Sequence, residues 1–278
     1  VPYRIISLLG LLLMGAASPN ASGMAPVNGI QMYYAVYGHG PPVLLIHGGL
    51  SSSDVWANIV PLLDKTHEVI VADSRGQGRS TQTDQRLTYG LMAEDYLALL
   101  DYLHVKQVAV VGWSDGGNIG LDLAIHHPDR VTALFAQAAN ASPDGLVSPP
   151  VLDKPAKQSA LHRFLGDTKR QVVADVHRLL GRAPAPAPAE QRALFRLWAT
   201  EPHYTREQLA SIKVRTAIVI GAEDKVVRLD HTEYLARTIP GAKLIILPKV
   251  GHEAIRQDPD GYARAVLSFL DGSGVGSR

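Results

Sequence analysis

Gly112-Trp113-Ser114-Asp115-Gly116 follows the apolar run Gln107-Val108-Ala109-Val110-Val111 and precedes a helix-prone stretch, residues 117–126. Strand, Gly-x-Ser-x-Gly turn and helix in that order put a serine on a sharp bend at the top of a sheet. The bend demands a strained serine backbone, and the two glycines remove side chains that would strike the neighbouring strand and helix. The helix N-terminus beside it favours developing negative charge. Ser114 therefore reads as a nucleophile.

Outward from this turn, apolar and β-branched runs recur at residues 43–46, 69–72, 108–111, 131–136, 217–220 and 244–247. Continuous runs of this kind suit parallel strands buried on both faces. Residues 31–37 alternate weakly and are expected to form an edge strand. Helix-like stretches lie between the runs, at 89–103, 117–126, 230–238 and 262–270. In the first of these, Met92, Tyr96, Leu99, Leu100 and Leu103 make one stripe. Strands alternating with helices predict a doubly wound α/β sheet.

The alternation breaks between Ala141 and about Lys213. This stretch predicts a small helical cap inserted into the sheet domain, with helices at 169–180 and 190–199. The alternating Ala-Pro run at 183–189 is expected to be an extended spacer. The cap leaves the sheet on the edge that carries Ser114, as a lid over a site would.

A serine hydroxyl needs a base within hydrogen-bond reach and a third group to orient that base. The C-terminal part supplies both residue types. A strand at 217–220 ends in Gly221-Ala222-Glu223-Asp224, a turn with two carboxylates, and one at 244–247 leads into Pro248-Lys249-Val250-Gly251-His252. Open parallel sheets carry their chemistry at this edge.

Together with His47-Gly48-Gly49 and Asp73-Ser74-Arg75-Gly76-Gln77-Gly78-Arg79-Ser80, these motifs resemble the serine hydrolases of the α/β-hydrolase superfamily, in its cap-bearing esterase-like branch. The resemblance covers about residues 24 to 272. It implies an α/β-hydrolase fold with residues 24–140 and 214–278 as the core and 141–213 as the cap. It also implies a catalytic triad of Ser114, Asp224 and His252 in the family's chain order. Glu223 is the neighbouring alternative, set aside by the Gly-x-x-Asp pattern, and Asp144 is a weaker rival. The backbone N–H groups of Gly49 and Asp115 would form the oxyanion hole, with Leu50 a less favoured choice than Gly49. Each such donor is worth ~2.7–4 kcal/mol to a tetrahedral intermediate.

Other residues are expected to be structural. His47 should hold a loop, Arg75, Gly76 and Gly78 should shape a turn, and His126-His127 should end a helix. The Asp115 carboxylate should face solvent or a neighbouring backbone, with a preference for a cationic substrate as the lesser alternative. Trp56 and Trp113 fit either an acyl pocket or the core.

The implied activity is carboxylic ester hydrolysis on short- to medium-chain esters, with no cofactor and no metal. Lactone, amide and carbon–carbon bond hydrolysis use the same triad. A ligand receptor retaining the triad is the reading from another class.

Composition excludes other classes. The 278 residues carry a net charge of +1 and scattered cations, so no basic face for nucleic acid is evident. The chain has no cysteine, which removes disulfides and thiolate-ligated zinc. Arg4 precedes an apolar run, residues 5–17, and then small residues up to Gly23. This resembles a secretory signal peptide, residues 1–23, and predicts a secreted or periplasmic mature chain. The run is short for a membrane span of roughly 20 residues, so no stable insertion of the mature chain is expected.

Overall fold

The computed structural model describes residues 18–148 and 188–272. Eight strands form one sheet: β1 (Ala21–Val27), β2 (Ile30–Tyr37), β3 (Pro42–Ile46), β4 (Glu68–Ala72), β5 (Val108–Trp113), β6 (Val131–Gln137), β7 (Arg215–Gly221) and β8 (Lys243–Leu247). Their spatial order is β1-β2-β4-β3-β5-β6-β7-β8. The β1–β2 and β2–β4 pairs are antiparallel, and the other five are parallel. All six continuous apolar runs are strands of this sheet. This is the α/β-hydrolase fold expected from the sequence.

The expected edge strand, β2, is instead second in the sheet, because β1 covers it. The hairpin turns on Asn28-Gly29, with φ of 43° and 78°, between paired residues Val27 and Ile30. Two successive positive φ values suit a tight two-residue hairpin turn. A signal boundary after Gly23 falls inside β1, whose Ala21, Ser22 and Gly23 pair with Val36, Ala35 and Tyr34. Residues 1–17 lie outside the described residues.

The described helices are α1 (Val60–Leu63), α2 (Tyr89–Tyr102), α3 (Asp115–His126), α4 (Pro188–Thr200), α5 (Arg206–Ser211), α6 (Leu229–Thr238), α7 (Ala254–Gln257) and α8 (Pro259–Leu270). Alternate strand residues face opposite layers. Leu44 and Ile46 pack with the buried stripes of α2, α3 and α6, while Val43 and Leu45 pack with α1 and α8. On α2, Thr88 caps the N-terminus by accepting from Leu91 N–H at 3.0 Å, and Met92, Tyr96, Leu99 and Leu100 are buried. Each leucine buried there contributes ~1.5–3 kcal/mol. Among the described residues, no helix is long and apolar enough to cross a membrane.

The cap is described only in part. The expected helix at 169–180 and the spacer residues 183–187 lie outside the described residues. The expected helix at 190–199 is α4, and it starts two residues earlier. Pro188 and Ala189 form its first turn rather than an extended spacer, since a proline lacks only an N–H that has no partner there. Thr205 and Gln208 close a capping box on α5, whose Leu209 is buried with Ile212 in the α3 and α6 layer.

Candidate active site

Three strand ends bring the site together. Ser114 joins β5 to α3 with φ 56° and ψ −117°. A positive φ on a residue with a Cβ costs about 1–3 kcal/mol, and persists only where the surroundings impose it. Here Ser114 N–H donates to the Gln137 carbonyl at 2.8 Å, and the Ser114 carbonyl accepts from Asn118 N–H at 3.1 Å. Side chains at the flanking glycines would run into main chain: a Cβ on Gly112 into the Gly116 carbonyl, and one on Gly116 into the Ile46 carbonyl.

His252, on the loop after β8, puts Nε2 3.1 Å from Ser114 Oγ and Nδ1 3.0 Å from Asp224 Oδ2. The Asp224 side chain is 1% exposed. Its Oδ1 accepts the N–H groups of Val226 at 2.8 Å and Val227 at 2.9 Å. Burial pushes this carboxyl up, but the His252 ring and the two N–H donors outweigh it and hold it below the ordinary range. Glu223 is exposed, so the acid facing His252 is Asp224. Asp144 is also exposed, on the side of Arg228 and His231.

Above the triad lies a cavity of about 470 Å³. Gly49 and Asp115 both line it beside Ser114. Asp115 opens α3, so its N–H is one of the first-turn donors without an intrahelical acceptor. Leu146, Phe195, Trp198 and Val226 supply apolar wall. Of the two tryptophans, Trp56 is core and fully buried. Trp113 lines the cavity and donates its indole N–H to the His252 carbonyl at 2.8 Å.

The Asp115 side chain departs from expectation. It faces neither solvent nor backbone and is 4% exposed. Oδ1 accepts the Tyr89 hydroxyl at 2.9 Å, and Trp198 Nε1 donates at 2.9 Å to both oxygens. A turn of the nucleophile loop is thus tied to α2 and to α4. Burial raises the Asp115 carboxyl above its ordinary range, with the two donors opposing. Gly49 packs so closely here that a Cβ would meet both Asp115 Oδ2 and Trp198.

Sequence reasoning missed Tyr89, Phe195, Trp198, Glu201 and Gln137. The only available hint was on α4, where Leu194 and Leu197 point inward, leaving Phe195 and Trp198 as an i, i+3 aromatic pair beside them. The structural roles hold elsewhere. His47 Nε2 accepts from Ser74 N–H at 2.9 Å, and burial lowers its pKa. Arg75 grips Asp95 through Nε at 2.7 Å and Nη2 at 2.6 Å. His126 meets Asp122 at 3.1 Å and His127 meets Glu94 at 2.9 Å.

A model of the alpha/beta hydrolase fold family matches residues 41–201, more than half of the chain. The chain belongs to that family, and is an enzyme of the hydrolase class. It is 30% identical over 264 residues to a Caulobacter sp. (strain K31) protein named "Putative carbamate hydrolase RutD", covering 87% of this chain and 96% of that protein. It is 27% identical to the 2-hydroxy-6-oxo-6-(2'-aminophenyl)hexa-2,4-dienoic acid hydrolase of Metapseudomonas resinovorans, covering 87% of this chain and 88% of that protein. Among solved structures, the enol-lactonase of Burkholderia xenovorans LB400 superposes with a TM-score of 0.72 at 23% identity, covering 90% of this chain and all 100% of that chain.

Proposed function

We propose that this chain hydrolyses carboxylic esters of short to medium acyl length through an acyl-enzyme on Ser114. The observation that carries the reading is the hydrogen-bonded line from Asp224 through His252 to Ser114, at 3.0 and 3.1 Å, beneath an apolar cavity. Ser114 Oγ attacks the acyl carbon while His252 Nε2 takes its proton. The N–H groups of Gly49 and Asp115 receive the oxyanion. His252 returns the proton to the departing alcohol, and water then repeats the sequence to release the acid. Asp224 keeps the imidazole in the right tautomer and stabilises the imidazolium. The cavity of about 470 Å³ suits a short or medium acyl chain between Trp113, Trp198 and Phe195.

A second reading keeps the triad and changes the bond. Relatives named for carbamate and dienoic acid hydrolysis support a scissile group other than a simple ester, with lactone, amide and carbon–carbon bonds as the candidates that the same triad serves. Initial rates on p-nitrophenyl esters from acetate to palmitate, with Ser114→Ala alongside, separate the two. Ser114-dependent turnover supports the esterase. Fluorophosphonate labelling of Ser114 without turnover of any ester moves the activity to the other bonds. A protein that neither turns over nor labels overturns both.

We further propose export, on the apolar stretch at 5–17, with processing that spares β1. Asn20 N–H donates to the Val36 carbonyl at 2.7 Å, so cleavage after Ala17 preserves the strand and cleavage after Gly23 does not. N-terminal sequencing of exported protein beginning at Met24 would refute that site, and retention of the whole chain in the cytoplasm would refute export.

A further inference from the structure

We propose that the acyl cavity selects against substrates bearing a carboxylate or other anion, with Asp115 and Glu201 as the specificity-determining residues. The inference rests on the hydrolase reading of the same site and deepens it to a substrate class.

Asp115 is a cavity-lining residue, nearly fully buried, whose carboxylate takes its hydrogen bonds from the neutral Tyr89 hydroxyl and Trp198 indole. Among the described residues it makes no ion pair. When ionised it shares its charge with these dipoles, and among the described residues no lysine or arginine pairs with it. Glu201 lines the same cavity, half-buried at the end of α4, and its Oε2 accepts the Tyr89 backbone N–H at 3.1 Å. Tyr89 thus carries one carboxylate on its hydroxyl and another on its amide, and the two acids flank one stretch of wall.

Lys225 is the one cation among the described lysines and arginines that line the cavity, and it is exposed on the rim. A charge in water is screened within about 10 Å at ordinary ionic strength, whereas one set in an apolar wall is screened far less. Among the described residues that line the cavity, the wall acids therefore dominate and Lys225 does not offset them. An acyl chain ending in a methyl group enters without penalty. The same chain ending in a carboxylate meets Asp115 and Glu201 at low dielectric, while neutral groups bearing N–H or O–H find acceptors there.

The test compares p-nitrophenyl butyrate with mono-p-nitrophenyl glutarate, each rate divided by its own hydroxide-catalysed rate. The full chain, Asp115→Asn, Glu201→Gln and Lys225→Gln are assayed at an ionic strength of about 0.1 M, where the exposed Lys225 is screened. Asn at 115 keeps an acceptor for Trp198, so the charge is removed while the contact is retained; Glu201 is the more accessible position should that variant fail to fold. The wild type should favour the neutral ester by at least about tenfold in kcat/KM. Either acid variant should narrow that ratio several-fold, and Lys225→Gln should leave it unnarrowed. A wild-type ratio near one, or a ratio that neither acid variant moves, overturns the proposal. Labelling of Ser114 by an alkyl against an ω-carboxyalkyl fluorophosphonate reads the same ratio without ester turnover. No ester turnover with selective labelling sinks only the esterase reading, and unselective labelling sinks this inference alone.

Discussion

The indole N–H of Trp113 donates to the backbone carbonyl of His252 at 2.8 Å, across 139 positions of chain. Gln137 Nε2 adds a second donor to the same carbonyl at 3.2 Å, and the Trp113 and His252 rings lie 5.8 Å apart. The residue that precedes Ser114 thereby holds the loop that carries His252. Two strand ends, β5 and β6, anchor a loop that follows β8.

Trp113→Phe keeps a ring in the wall and deletes the donor. A misplacement of about 1 Å at a reacting group costs on the order of a hundredfold. We expect kcat to fall between about fivefold and a hundredfold with KM nearly constant. Steady-state kinetics on the best ester decides this. A rise in KM at constant kcat would mean that Trp113 acts only as pocket wall.

Asp224→Asn should lower kcat by roughly 10⁴ while the fold persists, because the wrong imidazole tautomer is favoured. Glu223→Gln is the matched control, and as an exposed neighbour should stay within about twofold of wild type. A large loss at Glu223 and none at Asp224 would reverse the assignment of the acid.

Arg75 and Asp95 are both buried, with side-chain exposures of 0% and 1%. Arg75 also reaches Thr83 at 3.0 Å and the Asn28 carbonyl at 3.2 Å, so the pair pins the β1–β2 turn to α2. Arg75→Met strands a buried carboxylate and should cost about 3–5 kcal/mol in urea denaturation. The double variant Arg75→Met/Asp95→Leu should recover most of that loss. Equal losses in the single and double variants would show that the charge pairing is not what is measured.

Acid should destabilise the fold through Asp73. Burial pushes this carboxyl up, but Arg79, His47 and Ser53 hold its folded pKa below the ordinary value. Its oxygens accept Ser53 N–H at 2.7 Å, and Arg79 N–H and Nε, each at 2.8 Å. A depressed folded pKa contributes stability that is present above the unfolded value of about 3.9 and is lost as pH falls through the folded one. Asp224 shifts in the same direction. Urea midpoints from pH 7 to pH 3 should fall steeply in the wild type and less steeply in Asp73→Asn. Parallel curves would remove Asp73 from the account.

Much of this was legible in the chain, for physical reasons. Buried parallel strands must be apolar on both faces, so β3 to β7 announced themselves, and β8 shows the same apolar run although it is an edge strand with Leu244 and Ile246 exposed. The turn at Ser114 tolerates little besides its glycines, and Asp224 and His252 follow strands, so the three residues that the structure brings together stood out. The strand β1 did not, because Ala21-Ser-Gly-Met-Ala-Pro-Val27 has little β preference and its Asn28-Gly29 turn was the sole cue. Pro188 misled because a proline that breaks a helix interior is harmless in a first turn. The Asp115 carboxylate was expected to face solvent or backbone, or to favour a cationic substrate, and its burial against α4 could not be read. Its partner Trp198 lies 83 residues away, on a helix whose docking no local pattern reports.

Ser114 and His252 stand 138 residues apart in the chain, and β8 and its loop leave the ribosome long after the serine does. At ordinary rates of protein synthesis that interval is roughly 7 to 28 s. Throughout it the nascent chain lacks the imidazole that stands 3.1 Å from Ser114 in the finished fold. On the proposed triad, a fragment that ends before β8 carries the serine without its base.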